Sequence, residues 1–131
     1  MKYLLIIAVV FIVLTLVKRF FAGGIVRPAE AARRVADGSA VLVDVREPDE
    51  WSEGVVTGAV LLSLSDLRGA RAQWRPFLDI NRDKQLILYC RAGTRAGMAA
   101  RLLAAEGFAT ANAGGFSSLA GAGLPVRKPH R

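Results

Sequence analysis

Short continuous apolar runs alternate along the chain with longer stretches in which apolar residues recur at helical spacing. Residues 40–45, Ala40-Val41-Leu42-Val43-Asp44-Val45, form one such run, the pattern of a parallel strand buried on both faces. Residues 59–62, entered through Gly58, predict a second short strand, residues 85–89 a third and residues 108–111 a fourth. Between them, residues 28–36 read as a helix, with Pro28 in its first turn and Gly38 at its stop. Pro48, followed by Asp49 and Glu50, suits another first turn, and Ser65-Asp66-Leu67 starts a further helix. Residues 68–83 are amphipathic and then loop-like around Pro76 and Asn81. Residues 97–106 are helical up to Gly107. Gly114-Gly115 opens a turn, and residues 121–125 close the domain. Strands alternating with helices predict an α/β fold around a largely parallel sheet. Ligands of such sheets sit beyond the carboxyl ends of the strands, where residues 44–46 and 90–95 both fall.

The N-terminal block has a different pattern. Residues 3–17 are apolar apart from Thr15 and the Tyr3 hydroxyl, and Lys18-Arg19 is followed by Phe20-Phe21-Ala22. At 1.5 Å per residue, residues 3–22 reach ~30 Å, one hydrocarbon core. With only Met1-Lys2 ahead of the run and no small-x-small site directly after it, an uncleaved transmembrane anchor over residues 1–23 is expected, with a domain over residues 24–131. Lys18, Arg19, Arg27, Arg33 and Arg34 follow the run, which places the domain in the cytoplasm of a bacterial-type inner membrane. The alternative is a cleaved signal and export to the periplasm. Gly23-Gly24 reads as a flexible break.

Charge narrows the function classes. The net charge is +7; with Lys2, Lys18 and Arg19 set aside, 15 basic residues stand against 11 acidic. No basic run is interleaved with aromatics, so nucleic acid is not an expected partner. A single cysteine permits no internal disulfide. With His130 the only histidine, and near the C-terminus, no cysteine–histidine metal cluster is expected, and His130 reads as a tail residue. No cofactor motif appears. Trp51 and Trp74 read as core or partly buried surface.

The chemistry concentrates where the strand at 85–89 meets that one cysteine, Cys90. Arg91-Ala92-Gly93-Thr94-Arg95-Ala96 follow, and then the helix. Amides at a helix start lack partners within the helix, carry partial positive charge and, with successive loop amides, form an anion nest. A thiol facing such a nest, with arginines beside it, favours the thiolate, which is the nucleophile. Cys90 is therefore a candidate reactive thiol for an anionic substrate. A lone cysteine at a strand end is otherwise an ordinary packing residue.

Four segments together resemble a single-domain rhodanese, a sulfurtransferase fold. They are Val41-Leu42-Val43-Asp44-Val45-Arg46-Glu47-Pro48-Asp49-Glu50-Trp51; Gly54-Val55-Val56-Thr57-Gly58-Ala59; Tyr89-Cys90-Arg91-Ala92-Gly93-Thr94-Arg95; and Gly114-Gly115-Phe116 with Gly123-Leu124-Pro125-Val126. The resemblance implies a five-stranded, largely parallel sheet flanked by helices. It implies that Cys90 takes a sulfane sulfur from thiosulfate or a persulfide and passes it to a thiol, cyanide or protein acceptor. The Cys90 persulfide would be cradled by the amides of Arg91, Ala92, Gly93, Thr94, Arg95 and Ala96. Arg95, then Arg91, is expected at the donor's sulfonate, with Asp44 and Arg46 as loop support. The sequence departs from the family at Val55, where a histidine is frequent nearby, and at Leu119, which replaces a common tryptophan.

Two rival readings exist. Cysteine phosphatases and arsenate reductases place five residues between cysteine and arginine, whereas four separate Cys90 from Arg95, a cradle better sized for one sulfur. The other rival is a membrane-tethered sulfur-carrier or persulfide-binding relay with little turnover of its own.

Overall fold

The computed structural model describes residues 1–21 and 24–129, with residues 18–21 described by their backbone alone. Five strands make the main sheet: β1 (Gly24–Ile25), β2 (Ala40–Asp44), β4 (Val60–Leu61), β5 (Gln85–Cys90) and β6 (Thr110–Gly115). Their spatial order is β1-β6-β5-β2-β4, and every neighbouring pair is parallel. A second, antiparallel pair joins β3 (Val55–Val56) to β7 (Val126–Arg127). The helices are α1 (Lys2–Phe21), α2 (Pro28–Ala36), α3 (Pro48–Trp51), α4 (Leu64–Arg68), α5 (Trp74–Ile80), α6 (Thr94–Ala105) and α7 (Phe116–Gly121).

Burial on both faces of the sheet follows from its continuous apolar strands. Along β5, Leu86, Leu88 and Cys90 point to one side and Ile87 and Tyr89 to the other, because successive side chains alternate across a strand. The first side is closed by α4, α5 and α6 through Leu64, Leu67, Trp74, Ala99 and Leu103. The second is closed by α2 and α7 through Ala31, Val35 and Leu119. At about 25 cal/mol per Å² of apolar surface, this two-sided burial is the main force holding the layers together.

Several elements differ from expectation. Pro76 lies inside α5 and not in a loop. It occupies the third helical position, where a missing N–H breaks no intrahelical bond. The start of α5 is set from a distance, since the Asp66 carboxylate accepts from the amides of Ala72, Gln73 and Trp74 at 3.0–3.3 Å. α6 begins at Thr94, three residues ahead of the expected start. β6 runs on through Gly114-Gly115, where a turn was expected, because Gly115 pairs with Cys90.

The expected transmembrane anchor is not supported. Among the described residues no helix is long and apolar enough to cross a membrane. The unbroken apolar run, residues 3–17, ends at Lys18-Arg19 and covers ~22 Å at 1.5 Å per residue, short of a ~30 Å hydrocarbon core. It is exposed along its whole length. The rest of the expected span (side chains from residue 18 on, Ala22 and the Gly23 half of the break) lies outside the described residues, as does the His130 tail.

Candidate active site

Cys90 ends β5, and the chain reverses into α6 through only three residues, Arg91, Ala92 and Gly93. Gly93 makes this possible. It is the residue before the helix and sits at φ +98°, a conformation that L side chains resist. In that geometry its amide donates to the Cys90 Sγ at 3.0 Å. Its carbonyl accepts from the Gly97 amide and from Asn112 Nδ2, both at 2.9 Å. The Asn112 Oδ1 accepts in turn from the Gly114 amide at 2.8 Å. One clamp thus ties the loop to the neighbouring strand.

The register of that strand slips beside the site. Leu88 lies opposite Asn112, but Tyr89 lies opposite Gly114 and Cys90 opposite Gly115, so Ala113 is an extra residue. The slip brings the Gly115 backbone under the loop. A Cβ there would overlap the Arg91 carbonyl oxygen and stand 3.3 Å from the Ala92 Cα.

The sequence-predicted residues divide by position. Cys90 is 1% exposed and belongs to the apolar cluster on the α6 side of the sheet. Arg91, Ala92 and Thr94 form an exposed rim, Gly93 and Arg95 are half-buried, and Ala96 is buried within α6. Of the six amides expected around the sulfur, that of Gly93 donates to it among the described residues. The amides of Thr94, Arg95 and Ala96 occupy the first turn of α6, whose donors the helix itself does not use.

Both arginines lie beside acidic residues. Arg95 makes a two-pronged ion pair with Glu50 of α3, at 2.5 and 2.9 Å. Arg91 lies 3.6 Å from Glu53, with both side chains mostly exposed. The cause is α3 and the turn after it, which set Glu50 and Glu53 beside the loop. Glu47 and Glu50 cap the helix reciprocally, each side chain on the other's backbone amide, which fixes the Glu50 carboxylate. Hydrogen bonds from Arg95 hold the Glu50 carboxyl down at about 2, against the opposing pull of partial burial. The same hydrogen bonds push the Arg95 guanidinium up.

Asp44 and Arg46 brace the rim. They form a buried ion pair, with the Arg46 Nη2 2.8 Å from the Asp44 carboxylate and side-chain exposures of 3% and 0%. Arg46 also donates to the carbonyls of Gly54 (2.6 Å) and Glu50 (3.4 Å). Its guanidinium lies 4.7 Å from the centre of the Phe116 ring and 5.9 Å from that of Tyr89. Burial pushes the Tyr89 phenol up, and its oxygen accepts from the Val56 amide at 3.0 Å. Arg46 therefore links the end of β2 to α3, and α3 holds Arg95.

Sequence reasoning passed over Glu50, Asn112 and Gly115 as members of this assembly. The Glu47–Glu50 spacing of a capping box was the one local signal available for Glu50. Asn112 and Gly115 carry none, since their partners lie across the sheet. Among the described residues no group of histidine, cysteine, aspartate or glutamate could hold a metal ion.

A buried thiol at a strand end, capped by a loop amide and a helix start in a parallel sheet, places the chain among α/β proteins with a cysteine loop. The chain belongs to the rhodanese-like domain family, whose model matches residues 27–122. It is 30% identical over 101 residues to a protein named sulfurtransferase from Allochromatium vinosum, covering 75% of this chain and 89% of that one. It is 31% identical over 80 residues to the putative sulfurtransferase YtwF of Bacillus subtilis, covering 61% and 72% of the two chains. Among solved structures, it resembles a rhodanese-related protein from Thermoplasma volcanium, with a TM-score of 0.67, 25% identity and coverage of 81% of this chain and 99% of that one. These relatives support membership of a sulfurtransferase family.

Proposed function

We propose that this chain is a sulfurtransferase that carries sulfane sulfur on Cys90 as a persulfide. The observation that carries the reading is the Gly93 amide 3.0 Å from the Cys90 Sγ, in a loop that opens directly into α6. In the first half-reaction the Cys90 thiolate attacks the donor's sulfane sulfur. A bond forms between Sγ and that sulfur, the donor's own bond to it breaks, and the remainder leaves with the electron pair. From thiosulfate the leaving group is sulfite. In the second half an acceptor such as cyanide or a thiolate attacks the outer sulfur, and Cys90 returns as the thiolate. A covalent carrier of this kind gives ping-pong kinetics.

The loop supports the intermediate as well as the nucleophile. A persulfide's outer sulfur is anionic, and first-turn amides of a helix favour negative charge. The rim of Arg91, Ala92 and Thr94 is exposed while Cys90 is buried, which suits a donor that presents a terminal sulfur. No general base is required once the thiolate is formed.

Intact-mass measurement tests the reading. After incubation with thiosulfate or cysteine persulfide, wild type is expected to gain one sulfur and Cys90→Ser none. An added sulfur that survives in Cys90→Ser removes Cys90 from the role. Turnover of thiosulfate and cyanide separates an enzyme from a relay module. Hydrolysis of an aryl phosphate with no gain of sulfur would favour the phosphatase reading.

A further inference from the structure

We infer that Glu50 is a specificity-determining residue that turns the site away from doubly charged donors and toward alkyl persulfides. The inference rests on the sulfurtransferase reading and narrows its donor. Thiosulfate carries two negative charges, and binding it calls for a cation beside the loop. Two arginines are available by position, and both are engaged. Arg95 is bound through both prongs to Glu50, and Arg91 lies 3.6 Å from Glu53. A third carboxylate, Glu47, accepts from the Ser65 hydroxyl and from the Glu50 amide, and its charge reaches Arg95. Two cations and three carboxylates leave this side of the loop with one negative charge.

The quality of the pair decides the matter. Glu50 is 17% exposed and Arg95 29%, so their attraction is screened less than that of a surface pair. The Glu50 carboxylate is also fixed by the capping bond to the Glu47 amide at 3.2 Å. A sulfonate that takes Arg95 has to break a two-pronged bond and leave a half-buried carboxylate unpaired beside the new dianion. An alkyl persulfide reacting in its protonated form, R–S–SH, makes neither demand, because it has no sulfonate beside the transferred sulfur to compete with Glu50 for Arg95. The Cys90 thiolate attacks its terminal sulfur, the Sγ–S bond forms, and the donor's S–S bond breaks. RS⁻ leaves with the electron pair while the proton stays on the transferred sulfur. No oxidant or reductant enters.

The full-length chain tests this with two donors, thiosulfate and cysteine persulfide, assayed as kcat/KM to a common acceptor. Wild type is expected to prefer the persulfide by about tenfold or more. Glu50→Gln keeps an acceptor oxygen but removes the charge that holds Arg95. It is expected to raise the thiosulfate-to-persulfide ratio by about tenfold, through a lower KM for thiosulfate, while Glu50→Asp keeps the wild-type ratio. If Glu50→Gln does not fold, Glu53→Gln frees Arg91 at an exposed position and should move the ratio the same way, by about threefold. A wild type that prefers thiosulfate, or a ratio unmoved by these substitutions, overturns the donor inference and leaves Cys90 as sulfur carrier intact. Failure of both donors to load Cys90 overturns the sulfurtransferase reading itself.

Discussion

Arg46→Met isolates the brace beneath the loop. Wild-type Asp44 has no exposed surface, and its carboxylate receives the Arg46 Nε at 3.1 Å on each oxygen, Nη2 at 2.8 Å and the Arg46 amide at 2.9 Å. Methionine fills much of the same volume but leaves only the amide. Removing one partner of a buried pair costs about 3–5 kcal/mol, because the other charge stays buried without compensation. The carbonyls of Gly54 and Glu50 lose their donor as well. Against a total stability of about 5–15 kcal/mol, this is a large fraction of what holds the fold. The expected fall in melting temperature is on the order of 10–20 °C. Urea unfolding, followed by the fluorescence of buried Trp74, reads the loss directly. Asp44→Leu combined with Arg46→Met removes both charges and should recover most of it, ending within about 2 kcal/mol of wild type. A loss below about 1 kcal/mol in the single variant would refute the reasoning. So would a double variant no more stable than the single, since the penalty would then not come from an unpaired carboxylate.

The parts of the fold that could be read in advance are those whose evidence is local. Residues 40–45 and 85–89 are continuous apolar runs because β2 and β5 are covered on both faces, and each matched its observed strand to within one residue. The cysteine loop was legible for the same reason: strand, thiol, glycine and helix lie within a dozen residues. The pairing β3 with β7 was not, because two-residue strands have no period and their partners lie about 70 residues apart. β1 is equally short, and its Gly24 reads as a break until β6 is beside it. The acidic partners of the two loop arginines were not legible either, for a different reason. An arginine's position in the sequence says that it is near the loop; whether it is already engaged depends on Glu50, 45 residues away. A motif therefore locates the loop and its thiol more reliably than it assigns the charges around them, since those are set by whichever element packs alongside.

The remaining predictions concern that packing. The Glu50 carboxyl sits at about 2 in the folded chain against 4.5 for the ordinary group, so its pair with Arg95 adds stability above pH ~4.5 that is lost as pH falls toward 2. The stability gap between wild type and Glu50→Gln, at most about 3 kcal/mol at pH 7, should close over that window in acid-unfolding curves, and a gap that persists at pH 2 would contradict it. Gly115→Ala tests whether the register slip supports the thiol, because its Cβ would overlap the Arg91 carbonyl oxygen, a backbone atom that cannot swing aside as a side chain does. Sulfur loading of Cys90 is expected to slow by about tenfold or more, since small displacements of reacting groups carry large rate costs, while the sheet keeps its far-ultraviolet signature. Unchanged loading would show that Arg91 and Ala92 can lift away without disturbing the Gly93 amide, and that the loop's hold on the sulfur does not depend on the strand behind it.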